Sequence, residues 1–105
     1  MNWMYLIFAG IFEIGWPLGL KLSQTMPSKF LGILIAVISM IMSGLLLWLA
    51  QKTIPIGTAY AVWTGIGAVG TLFIGIIYFG DSASTWRIFS ALLIVIGIVG
   101  LKLAH

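Results

Sequence analysis

Glu13 is the one acidic residue that lies inside an apolar stretch of this chain, in Phe12-Glu13-Ile14-Gly15-Trp16. A carboxylate in a membrane-spanning helix is costly, so such groups face a protein interior or a wet cavity and carry function by default. Helical steps of three and four residues place Leu6, Ala9, Gly10, Trp16, Pro17 and Leu20 on the face of Glu13. The same stepping gathers Ala36, Ser39, Met40, Ser43, Leu47 and Ala50 in a second segment, and Tyr60, Trp63, Thr64, Gly67 and Thr71 in a third. Hydroxyls and aromatic rings on these faces suit a site better than a lipid contact.

A carboxylate surrounded by Trp16, Tyr60 and Trp63 suits a cation, which gains from the ionised acid and from the π faces of the rings. Planar guanidinium fits especially well, because its N–H groups pair with a carboxylate at two points while its faces stack on indole. Desolvation favours the neutral form of a carboxyl so placed. Glu13 is therefore expected to hold either a proton or a cation, and alternation between inward-open and outward-open states turns that competition into antiport. No glycine-rich phosphate loop ending in Lys-Ser or Lys-Thr is present, so ATP is not expected to drive it.

The elements that must position Glu13 are four apolar runs, at about Trp3 to Leu20, Phe30 to Ala50, Ile56 to Phe79 and Trp86 to Leu103. Each is long enough to cross about 30 Å of hydrocarbon. The breaks are Lys21 to Lys29 with Pro27, read as a loop, then Gln51 to Pro55, then Gly80 to Thr85. Residues 1–105 are expected to form one all-α, four-helix transmembrane domain, multi-pass in the cell's inner (plasma) membrane, since no period-two strand pattern of a barrel is visible. The first apolar run lacks a charged leader and carries Glu13, so it is expected to be a retained helix.

Composition agrees: 62% of residues are hydrophobic and 7% charged, where a soluble domain carries roughly a quarter. The net charge of +3 is scattered over segment ends and gives no reason to invoke nucleic acid. With no cysteine and one terminal histidine, His105, neither a thiolate nor an imidazole metal centre can be built, and no cofactor is expected. That lone histidine, with no second membrane-embedded acid or base, also argues against an enzyme. Lys21, Lys29 and Arg87 fall on one side of the membrane, Lys52, Lys102 and the amino terminus on the other. This balance allows insertion in both orientations.

Four short helices are too thin to enclose a polar path, so self-association is expected. Ser90, Gly97 and Gly100 in the fourth run permit close helix contact, within a chain or between chains. Gly65 and Gly67 permit close packing or a bend, and they follow no strand, so they are no nucleotide fingerprint. Trp3 and Trp86 are expected in the interfacial belt, Lys21 and Lys102 to snorkel, and Asp81 to help cap the fourth helix.

Ala9-Gly10-Ile11-Phe12-Glu13 with Trp16, the run Pro55-Ile56-Gly57-Thr58-Ala59-Tyr60-Ala61-Val62-Trp63-Thr64-Gly65-Ile66-Gly67, and Gly97-Ile98-Val99-Gly100-Leu101-Lys102 are the motifs that carry a resemblance. The chain resembles the small multidrug resistance family over its full length, and more narrowly its guanidinium exporter subtype. The resemblance implies an antiparallel, dual-topology homodimer that exchanges protons for guanidinium or another small organic cation. It implies a shared central site of both Glu13 carboxylates surrounded by Trp16, Ser43, Tyr60 and Trp63, a bend of the third helix at Gly65-Ile66-Gly67, and fourth-helix contacts between the two copies. Trp16 favours the guanidinium branch over the drug-exporting one. Two residues depart from the pattern: Pro17 stands where a small residue is usual, removing an N–H, and Gly15 is expected to loosen the same turn.

The alternatives are a broad exporter of quaternary ammonium or aromatic cations, and a non-transporting membrane subunit whose Glu13 pairs with a partner's basic residue. Lysines added at the Lys52 turn alone are expected to bias insertion toward one orientation and to impair function unless an oppositely biased copy is supplied. Accessibility of a terminal tag from the two sides of the membrane reads the bias; equal accessibility after the addition would contradict it.

Overall fold

The computed structural model describes residues 2–104 and contains four helices: α1 (Asn2–Thr25), α2 (Lys29–Ala50), α3 (Ile56–Tyr78) and α4 (Thr85–Ala104). All four are long and apolar enough to cross a membrane. Their 20 to 24 residues correspond to about 30–36 Å of helix at 1.5 Å per residue. The described residues include no strand, as the absence of alternation implied.

One boundary departs from expectation. Lys21 to Thr25, read as loop, continue α1. Their polar side chains find partners on the helix itself: the Ser23 hydroxyl donates to the Leu20 carbonyl at 2.6 Å and the Thr25 hydroxyl to that of Lys21 at 3.3 Å. Pro27 enforces the stop, because the residue before a proline is pushed out of the helical region. Ser28 then caps α2, accepting from the Leu31 N–H at 3.4 Å. Between α3 and α4 the chain turns through Gly80, whose φ of 72° suits a residue without Cβ. The Asp81 N–H returns to the Gly75 carbonyl at 3.0 Å. The cap of α4 is Ser84, whose Oγ accepts from the Arg87 N–H at 3.3 Å, and not Asp81. The Asp81 carboxylate lies against Gly75 instead.

α1 organises the packing. It lies against both α2 and α3, which scarcely touch each other, while α4 packs mainly on α3 and reaches α1 at one end through Lys102 and Trp3. The α1–α2 seam is made of small residues: Gly19 leaves room for the backbone of Ala36 and Gly32, and Gly32 for that of Ser23. In lipid, where apolar surface gains little from leaving one apolar solvent for another, such close backbone approach is a main source of helix association. It also shifts the inner stripe. Leu20 and Met40, expected on the Glu13-facing stripes, are exposed, and Gly19 and Gly32 hold the inner positions. Across α1 and α3, Gly10 accommodates Ile66 and Gly70 accommodates Ile14.

Leu6, Ala50, Ile54, Ala59 and Val62 form the core, with Trp3, Leu47, Trp63 and Ile98 packed around it. On the same end Lys52 lies 4.8 Å from the Trp48 ring and Lys102 5.1 Å from that of Trp3, pairing cations with the aromatic belt. α4 buries only Ala91. A Cβ on Gly97 or Gly100 would meet nothing within 4 Å, so these glycines do not serve packing within the chain. Ser90 is exposed, and its hydroxyl donates to the Trp86 carbonyl at 2.7 Å.

Gly32→Ala forces a Cβ against the Ser23 backbone and is expected to destabilise the fold by about 1–3 kcal/mol. Gly44→Ala, whose Cβ meets nothing within 4 Å, is the control and is expected to be neutral or slightly stabilising. Unfolding midpoints in detergent compare the two; equal effects would contradict the seam.

Candidate functional site

Glu13 lies midway along α1, and Trp16 follows one turn later on the same face. The Trp16 Nε1–H donates to Glu13 Oε1 at 2.8 Å. Room for the carboxylate comes from α3: the Glu13 Cγ occupies the space that a side chain at Gly67 would need. Glu13, Trp16 and Pro17 line one wall of an open cleft of about 480 Å³. Thr64, Gly67, Ala68 and Thr71 line the wall opposite, and Asp81 and Arg87 complete it. A cation entering this cleft meets an ionisable acid with one oxygen already oriented and the other left for a ligand.

Ser43, Trp63 and Tyr60 form a second group. Buried Ser43 donates to the Ala9 carbonyl at 2.7 Å and accepts from Trp63 Nε1 at 2.8 Å. Trp63 in turn packs on Tyr60, their ring centroids 5.4 Å apart and tilted by 52°. Ser43 thus ties α3 to α1 through α2, at the residue one turn before Glu13. Among the described residues no hydrogen bond joins this group to Glu13 or Trp16. The five residues singled out from sequence therefore fall into two sets, a carboxylate with its indole, and a tie through buried Ser43 and half-buried Trp63 against which Tyr60 stands exposed.

Gly65 and Gly67 both pack closely, Gly65 against Ile94 and Ile98 of α4 and Gly67 against Glu13, and α3 is helical throughout. Gly15 does not loosen its turn: the Ser39 side chain fills the space beside it. Sequence reasoning missed Asp81 and Arg87 as parts of the cleft. They were read as a cap and as a flanking charge, and only the hairpin between α3 and α4 carries them back over the site. The Arg87 Nε is buried without a hydrogen-bond partner among the described residues. A second cleft, of about 250 Å³, shares Pro17, Thr71 and Asp81 with the first.

Residues 1–94 match the family described as Small Multidrug Resistance protein. The chain belongs to that family. Small multidrug resistance relatives named "Guanidinium exporter" include one from Yersinia pseudotuberculosis, 51% identical over 99% of both chains. Others are from Escherichia coli strain K12, 49% identical over 99% of this chain and 98% of the relative, and from Proteus vulgaris, 49% identical over 99% of both. With four helices able to span a bilayer and membership of this family, the chain is a multi-pass membrane protein.

Ser43→Ala strands a half-buried indole N–H and is expected to cost about 1–3 kcal/mol. In a Trp63→Phe background the same change is expected to cost less, since the donor it would strand is gone. A double-mutant cycle on unfolding stability measures the difference; additive effects would show that the bond contributes nothing.

Proposed function

We propose that this chain exports guanidinium, and small substituted guanidinyl or quaternary ammonium cations to a lesser degree, in exchange for protons at Glu13. It acts as a transporter and not as an enzyme. The observation that carries the reading is the Glu13 carboxylate at the wall of an open cleft, oriented by Trp16. The names of relatives at about half identity over nearly their full length agree with it.

The chemistry follows from what a carboxylate and an indole can do together. Ionised Glu13 offers a planar cation its free oxygen and the remaining lone pair of Oε1, while the Trp16 N–H holds the group in place. Protonation removes the charge and turns one oxygen into a donor, so proton and cation exclude each other. Exchange across the membrane then needs only that the cleft open alternately to either side.

The working unit we propose is an antiparallel homodimer, in which two oppositely inserted copies close the cleft and present both Glu13 carboxylates to one site. Three observations support it. The described chain measures 17 Å in its thinnest direction, less than two helix diameters of about 10–12 Å. α4 exposes Leu92, Leu93, Ile96 and Val99 beside the unfilled Gly97 and Gly100, a surface fit for a second copy, with Ser90 near it. Positive charge is balanced between the two ends, Lys21, Lys29 and Arg87 against Lys52, Lys102 and the amino terminus. Gly65 and Gly67 are the proposed pivot, where a small bend of α3 would alter the space around Glu13.

In proteoliposomes a guanidinium gradient is expected to drive opposing proton movement with the wild-type chain, and Glu13→Gln is expected to abolish it. Coupled flux driven by tetraalkylammonium ions and not by guanidinium would replace this reading with the broad exporter. No coupled flux from any cation would leave the non-transporting subunit.

A further inference from the structure

Pro17 sits in the interior of α1, four residues after Glu13 and on the wall of the same cleft. In an α-helix the carbonyl of residue 13 accepts its hydrogen bond from the N–H of residue 17. Proline has no N–H to give. Side-chain donors do not replace it: among the described residues, hydroxyls bond the carbonyls of Ala9, Leu20, Lys21 and Trp86, and none bonds that of Glu13. The helix directs this carbonyl along its axis toward the Pro17 ring, and Glu13 and Pro17 both line the cleft. An acceptor that loses its regular helical donor in an apolar segment is left at a cost, and a ligand that brings an N–H removes that cost.

We propose that the main-chain carbonyl of Glu13, released by Pro17, is a second acceptor for the bound cation and selects ions that carry N–H groups over quaternary ammonium ions. The inference rests on the export reading above and deepens it. A guanidinium has N–H groups on every edge of its plane, so one edge pairs with the carboxylate while another donates to the carbonyl of the same residue. A tetraalkylammonium ion has no N–H and meets only the carboxylate charge and the aromatic faces. The backbone of Glu13 thereby adds to the selectivity of its side chain.

The test compares apparent affinities for guanidinium and tetramethylammonium in proton-coupled flux from proteoliposomes. Three proteins are used: wild type, Pro17→Ala, and a chain with lactic acid at position 17, which pairs the alanine side chain with an ester oxygen in place of N–H. Pro17→Ala restores the helical hydrogen bond and is expected to reduce the preference for guanidinium about tenfold, equivalent to about 1.4 kcal/mol. The ester chain is expected to keep the wild-type preference. Where tetramethylammonium has no measurable affinity, the guanidinium affinity itself is the readout, with the same expected change.

An unchanged preference in Pro17→Ala overturns the proposal, and so does an equal loss in both variants, which would assign the effect to the shape of the ring. Should Pro17→Ala fail to fold, the ester chain decides alone, its loss of preference counting against the carbonyl. Loss of coupled flux in Glu13→Gln beside an unchanged preference in Pro17→Ala defeats this inference and leaves the export reading intact. Absence of coupled flux in the wild type defeats both.

Discussion

The hydrogen bond from the Trp16 indole to Glu13 orients a carboxylate inside a membrane helix and leaves its second oxygen for a ligand. In an apolar segment a carboxylate without partners would be neutral or driven out to water. One indole N–H is enough to orient the group and too little to satisfy it. That partial satisfaction is what supports the proposal of Glu13 as the cation site over a buried structural acid, and the rest of the fold provides the space and the walls.

Space comes from glycine. Gly67 admits the Glu13 side chain, Gly10 and Gly70 admit Ile66 and Ile14, and Gly19 with Gly32 draws α1 against α2. α1 is thereby held between two helices while one side of Glu13 opens to the cleft. Rigidity comes from Ser43, which bonds both the Ala9 carbonyl and the Trp63 indole and so fixes three helices one turn away from the acid. What the single chain lacks is cover. Its thinness and the exposed face of α4 are the reasons a second copy enters the proposed mechanism.

Much of this was legible in the sequence because membrane helices announce themselves by length and hydropathy, and because an acid among apolar residues has few innocent explanations. The inner face of α2 at Ala36, Ser39, Ser43 and Ala50 followed from helical period alone. Lys21 to Thr25 were misread because polarity was taken to end a helix, whereas Ser23 and Thr25 bond back to it and only Pro27 stops it. Leu20 and Met40 were placed inward because periodicity cannot tell a large residue from a small neighbour, and a close crossing selects the small one, Gly19 and Ser39. Gly15 was taken for slack where Ser39 fills the gap. Asp81 and Arg87 were invisible as cleft residues, since nothing local in a hairpin reveals which helix it folds over.

In the proposed mechanism a proton and a cation compete for Glu13. Adding guanidinium to the purified protein in weakly buffered detergent and recording pH measures that competition without any membrane gradient. Proton release on binding is expected in the wild type, with guanidinium affinity weakening as pH falls, and neither effect in Glu13→Gln. Guanidinium that binds without releasing protons, with an affinity independent of pH, would contradict it.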